Sequence, residues 1–240
     1  MADFHLETSG SGPRIVLVHG SVGTGAITWE PQRPLADRFT LVILERPGYP
    51  PNPPLERIDF EAQAHALARL LQPGDHLVGH SYGGVIALLA AAEANGRLRS
   101  LTLNEPPAFA LARGDPAVEE FLAALERAPS EPRAYLEYFL PLVGVSLRLP
   151  ERLSPAFEAA TRAAMAERPP QEAEIPLATL HAAPFPKLVV SGAHSAALDA
   201  VADVLERDLP ARRAVLPGAG HNVQRTAAYN ETLAAFVEAA

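Results

Sequence analysis

The chain has 240 residues, 48% of them apolar, and a formal net charge of −8. That size and composition suit one large domain or two small ones around a sizeable core, and the acidic balance argues against nucleic acid, whose phosphates need a cationic face. There are no cysteines, which excludes a disulfide framework, a thiolate nucleophile and a cysteine-ligated metal.

The opening residues MADFHLETSGSGPR contain no apolar core of signal-peptide length. No run reaches the ~18 consecutive apolar residues of a membrane span. The expectation is a soluble cytoplasmic protein with no membrane partner. RIVLVHG (14–20) is a short β-branched run ending in glycine and reads as a buried strand. FTLVILERPG (39–48) is a second strand, followed by the proline-rich loop YPPNPP. A helical pattern, FEAQAHALARLL, leads to a third strand, DHLVGHS (75–81). The helix YGGVIALLAAAEA follows, then a fourth strand in SLTLNEPP (100–107). After a long interval come KLVVSGAHS (187–195), the helix LDAVADVLERDL, a last strand in RRAVLPGAGH (212–221), and the closing helix TAAYNETLAAFVEAA. Strands apolar on both faces that alternate with helices imply an α/β fold, a mostly parallel central sheet flanked by helices.

The interval at about 108–183 breaks the alternation. It holds DPAVEEFLAALERA, EPRAYLEYFLPLV and SPAFEAATRAAMAER, separated by prolines. A structureless loop of that length is improbable in a compact domain. The pattern predicts a helical cap inserted within a single domain spanning 1–240.

The stretch most suggestive of chemistry is Gly79-His80-Ser81-Tyr82-Gly83. A G-x-S-x-G match alone is weak, but here it joins an apolar strand to a helix, the setting of a nucleophile elbow. Ser81 would then stand clear of the carboxyl end of the sheet, above a helix amino terminus that favours developing negative charge. A serine hydroxyl needs a base. Of the eight histidines, His221 is best placed, in a loop between the last strand and the last helix. His5, His65 and His181 lack such a setting. His76 and His80 flank the elbow and read as local packing residues, and His194, in a strand-end loop, as a residue lining the site.

With VHGSVGTGAITW (18–29), GHSYGG (79–84) and PGAGH (217–221) in this order and spacing, the chain resembles the α/β-hydrolase fold superfamily over nearly its whole length. The resemblance implies an oxyanion hole made by the backbone N–H groups of Ser21 and Tyr82, and a carboxylate that orients the histidine. The family commonly places that acid after the strand read as KLVVSGAHS. The usual position falls on Ser195, which cannot carry the charge. Two carboxylates remain: Asp199, near a helix start, and Glu105, at the end of LTLNEPP, the strand end from which haloalkane dehalogenases take their acid. Glu105 is the preferred choice. An aspartate nucleophile, which dehalogenase and epoxide-hydrolase chemistry needs, is absent from the elbow.

No HExxH pattern or ligand-like carboxylate spacing is present, so neither metal nor cofactor is expected. GSVGTG (20–25) lacks the lysine of a phosphate loop. The resemblance implies a cofactor-independent serine hydrolase that forms an acyl-enzyme from a small-molecule carboxylic ester, lactone or thioester. Phe109, Phe121, Tyr135, Tyr138 and Phe139 would line an apolar pocket. The family also holds lyases, perhydrolases and biosynthetic cyclases, and a ligand-binding receptor retaining the triad is a further alternative; fold does not choose among them. A homodimer is compatible with such a chain.

Overall fold

The structure is a computed structural model describing residues 4–94 and 96–240. Among the described residues the strands are β1 (His5–Ser9), β2 (Arg14–Val18), β3 (Thr40–Glu45), β4 (His76–His80), β5 (Ser100–Asn104), β6 (Lys187–Ser191) and β7 (Arg212–Val215). They form one sheet in the order β1-β3-β2-β4-β5-β6-β7. β1 runs antiparallel to β3, and every other pairing is parallel. Helices α1 (Gly25–Thr28), α2 (Phe60–Leu70) and α3 (Tyr82–Ala94) fall between the early strands. Helices α4 (Pro116–Leu125), α5 (Pro132–Leu142), α6 (Pro155–Met165) and α7 (Leu177–Ala182) lie between β5 and β6, and α8 (Ala196–Asp208) and α9 (Tyr229–Ala239) complete the chain.

The alternation of side chains along a strand explains both layers. Val16, Val18, Val42 and Leu44 pack on one face with residues of α2, α3 and α8. Their neighbours Ile15, Leu17, Leu41 and Ile43 pack on the other face with α9, Trp29 and Leu35. Helix α3 is buried almost all round, which fits its continuous apolar sequence. The strand read from each apolar run is present, shortened to its hydrogen-bonded part.

Strand β1 carries no such signal. Its sequence HLETS is largely exposed at the sheet edge. An edge strand with polar side chains is held by pairing to one neighbour rather than by apolar burial, and Glu7 adds a two-pronged contact to Arg33 at 2.5 and 2.9 Å.

The segment between β5 and β6 is helical, with no strand among its described residues. Three of its helices start alike: a side chain at the cap accepts backbone N–H groups, and proline follows at the first helical position. The pairs are Asp115–Pro116, Glu131–Pro132 and Ser154–Pro155. The cap satisfies an orphan N–H, and proline sits where none is needed. Val118 and Leu122 of α4 join the main core. Leu136, Leu140 and Ala164 form a small core of their own with Val22, so the insertion seats on the loop that follows β2.

Candidate active site

The turn after β4 places Ser81 at the carboxyl edge of the sheet in a left-handed conformation, φ +52°, which L-residues rarely adopt. The glycines around it are needed for close approach. A Cβ on Gly79 would fall 2.5 Å from the Gly83 carbonyl oxygen and 2.7 Å from Ala87 Cβ, and one on Gly83 would fall 2.4 Å from the His19 carbonyl oxygen. Strand, turn and helix therefore pack backbone to backbone. The Ser81 N–H donates to the Asn104 carbonyl at 2.9 Å, and the Ser81 carbonyl accepts from the Gly84 N–H at 2.7 Å.

His221 Nε2 lies 2.8 Å from Ser81 Oγ, and its Nδ1 lies 3.4 Å from Glu105 Oε2. These three side chains come from the ends of β4 and β5 and from the loop after β7, and all are buried. The ring of His80 packs against His221 with centroids 4.9 Å apart. Burial and the neighbouring His221 pull the His80 pKa down to about 3, so it stays neutral. His76 points elsewhere, to Ser100 Oγ at 2.8 Å.

Glu105 also sits at positive φ, +50°. Its Oε1 accepts the Gly192 N–H at 2.6 Å, and its Oε2 is 2.8 Å from His194 Nε2. Burial alone would raise this carboxyl. The hydrogen bonds from His194, His221 and the Gly192 amide outweigh it and hold the pKa at about 2, so the group is an anion at neutral pH. Asp199 is not part of this cluster. Its Oδ1 accepts from Arg213 Nη2 at 2.8 Å, and Arg213 also reaches Asp203. Ser195 stands as the cap of α8. The structure thus brings Glu105, and not Asp199, to His221, at a separation slightly longer than a strong hydrogen bond.

Ser21 and Tyr82 flank Ser81. A Cβ on Gly20 would meet Ser81 Cβ at 2.7 Å, so the chain around Gly20 and Ser21 lies directly against the serine. Two residues at the end of β3 hold this loop. Glu45 accepts the N–H groups of Gly25 and Ala26, both at 2.7 Å. The Arg46 N–H donates to His19 Nε2 at 3.1 Å, while His19 Nδ1 donates to the Gly20 carbonyl at 2.8 Å. Burial and the Arg46 charge keep the His19 pKa well below its ordinary value, so the neutral ring can accept on one side and donate on the other.

Arg46 itself is fully buried. Its guanidinium lies between the rings of Tyr49 and Tyr82, 4.8 and 4.6 Å from their centroids. It donates to Glu167 Oε1 at 2.7 Å, and Tyr49 OH donates to the same oxygen at 2.8 Å. Glu167 Oε2 accepts from Ser21 Oγ at 2.5 Å. Arg46 is thus the partner of Glu167, and it is not among the hydrogen-bond partners of Glu105. Glu167 was missed because it follows α6 in the insertion, 121 residues from Arg46, and nothing local distinguishes it from a surface glutamate.

A cavity of about 270 Å³ opens beside Ser81, walled by Phe109, Phe121, Tyr135, Phe139 and Leu198, with Glu126 and Glu167 among its polar residues. Tyr138, expected with these aromatics, does not line it. Its hydroxyl donates to the Ala124 carbonyl at 2.8 Å and ties α5 to α4. A second cavity of about 370 Å³ shares Ser21, Ser81, Phe139 and His221 and extends toward Asn222 and Arg225.

The sequence profile of the alpha/beta hydrolase family matches residues 15–236. The chain belongs to that family. The match takes in β2 to α9 and so includes the Ser81 turn, the insertion and the His221 loop. Among its relatives is a protein named pimeloyl-[acyl-carrier protein] methyl ester esterase from Methylococcus capsulatus, 36% identical over 120 residues. That alignment covers 48% of this chain and 45% of the relative, so the chain spans less than half the length of that esterase. A protein named dihydrolipoyllysine-residue acetyltransferase component of the acetoin cleaving system, from Pseudomonas putida, is 30% identical over 98% of this chain and 65% of its own length. Among solved structures, an esterase from Exiguobacterium antarcticum superposes with a TM-score of 0.74 over 99% of this chain and all of that one, at 19% identity. At that identity the likeness shows the alpha/beta hydrolase fold alone. No helix among the described residues is long and apolar enough to cross a membrane.

Proposed function

We propose that the protein is a serine hydrolase that cleaves a carboxylic ester through an acyl-enzyme. The observation that carries the reading is the 2.8 Å contact between Ser81 Oγ and His221 Nε2, with Glu105 on the far side of the ring. His221 takes the proton of Ser81 as the hydroxyl attacks the acyl carbonyl, then gives it to the leaving alcohol. Glu105 keeps the Nδ1–H tautomer and balances the imidazolium. The N–H groups of Ser21 and Tyr82 are the donors for the oxyanion. Tyr82, at the first position of α3, carries an N–H that the helix does not use. Two such donors are worth several kcal/mol in the transition state. Water then enters on the same path and releases the acid.

The insertion acts as the cap. Its aromatic residues Phe121, Tyr135 and Phe139 form the cavity walls over Ser81. An apolar cavity in which the Glu167 charge is already balanced by Arg46, and which also presents Glu126, favours an uncharged acyl group over an anionic one. Lactones and thioesters meet the same nucleophile and oxyanion donors, and belong to the same proposal. The esterase name carried by the Methylococcus relative supports the ester reading.

The test is covalent labelling by a fluorophosphonate, followed by a panel of p-nitrophenyl esters, lactones and acyl thioesters. Labelling of Ser81 with turnover of uncharged esters is expected. A protein that leaves the probe unreacted and turns over none of the panel would be a binding protein on this fold, and the proposal would fall.

A further inference from the structure

Glu105 Oε2 faces two imidazoles, and ester cleavage uses only one of them. His194 Nε2 is 2.8 Å away and His221 Nδ1 is 3.4 Å away, and the three donor atoms lie within 4.8 Å of one another. Tetrahedral zinc, with bonds of about 2.0–2.1 Å, spaces its ligand atoms roughly 3.3 Å apart. To reach that spacing the Glu105–His194 pair must open by about 0.5 Å, and the longest separation, which is at most 4.8 Å, must close by up to about 1.5 Å. The remaining oxygen, Oε1, is fixed by the Gly192 amide at 2.6 Å, which leaves Oε2 as the ligand. His194 is pinned from the other side, since a Cβ on Gly144 would fall 2.4 Å from its Nδ1. The His194 side chain is 16% exposed whereas Glu105 is 1% exposed, so an ion reaches the carboxylate past His194.

We propose that Glu105, His194 and His221 form a binding site for a divalent transition-metal ion of the zinc type, and that the bound ion reversibly silences Ser81. Two imidazole nitrogens and one carboxylate oxygen with an open fourth position are a donor set suited to such ions. The silencing follows from the proton count. Metal at Nδ1 of His221 requires the ring proton to sit on Nε2. That nitrogen then donates to Ser81 Oγ and can no longer take its proton. His194 moves its own proton from Nε2 to Nδ1. No proton is lost, and no bond to the protein chain breaks. The silencing half rests on the hydrolase reading above; the binding half does not.

The binding half is tested by calorimetric titration of Zn²⁺ into Ser81→Ala protein, where no turnover interferes. One ion per chain is expected, with affinity falling about tenfold or more in His194→Gln and in Glu105→Gln. Co²⁺ added to the unmutated protein gives a second measurement that depends on no variant's folding: four-coordinate binding shows intense visible bands. No uptake at millimolar ion, uptake unchanged by both substitutions, or six-coordinate Co²⁺ spectra would each overturn the site. For the silencing half, Zn²⁺ should slow fluorophosphonate labelling of the unmutated chain, and EDTA should restore it. Labelling that is unaffected while the ion binds overturns the inhibition. A chain that binds the ion but never labels, with or without it, instead refutes the hydrolase reading and leaves the metal site standing.

Discussion

Two carboxylates with nearly buried side chains, Glu105 and Glu167, lie around the Ser81 site, and they are held in different ways. Glu167 is locked by a permanent cation, Arg46, with Tyr49 and Ser21 taking up its remaining lone pairs. Glu105 faces no arginine or lysine in its hydrogen bonds: its partners are the Gly192 amide and two imidazoles. A guanidinium cannot give up its proton, so the Glu167 cluster is a fixed strut between the insertion and the loop that carries Ser21. Imidazoles can change state, so under the proposed mechanism the charge of Glu105 is available to a proton moving on His221. Burial costs each carboxylate free energy, and the compensation differs: a guanidinium for Glu167, imidazoles and an amide for Glu105.

The comparison rests on Ser81 being the reacting group between the two. Ser81→Ala should abolish covalent labelling while leaving circular dichroism and melting temperature intact. Labelling at the same rate elsewhere in the cavity would remove the premise. Next, Glu105→Gln should lower kcat by about 10³-fold or more, because an amide neither holds the tautomer nor balances the imidazolium. Kinetics with the best ester of the panel will measure it.

Glu167→Ala should separate the two sites most clearly. Removing one partner strands the buried Arg46 charge, which typically costs about 3–5 kcal/mol. Denaturant unfolding should report that loss, and the labelling rate per folded molecule should change far less than in Glu105→Gln. The reverse ranking would make Glu167 the functional carboxylate.

Acid unfolding gives a smaller effect with a defined sign. The folded pKa of Glu105, about 2, lies below the ordinary 4.5. Its stabilisation is therefore present above the unfolded value and is lost as pH falls from about 4.5 toward 2. Glu105→Gln should flatten the stability curve in that window, and a slope equal to the parent's would show that the carboxylate gains nothing from its partners. Asp199→Asn should do least. It weakens a partly buried pair with Arg213, which keeps Asp203 as a second partner, a loss of about 1 kcal/mol, and kcat should not move.

The parallel strands, the Ser81 turn and the His221 loop were legible from the chain because each is written locally. Apolar runs such as RIVLV bury both faces, and glycine is required where backbones touch. Edge strand β1 was not legible, since its pairing with β3 leaves no apolar period. Helix α7 was not legible either, being only six residues long.

What the sequence determined alone was the family of folds, and it singled out Ser81, His221 and two candidate carboxylates. The choice between those acids belonged to tertiary structure. Glu105 and Asp199 both stand near strand ends in the chain, but only the sheet order, which sets β5 beside β4 and β6, brings Glu105 to His221 while α8 turns Asp199 toward Arg213. The pairing of Arg46 with Glu167 and the second imidazole on Glu105 were decided in the same way. Each joins residues 121 and 89 positions apart. A buried charge takes the partner that the packed chain brings within reach, and sequence spacing carries no record of that distance.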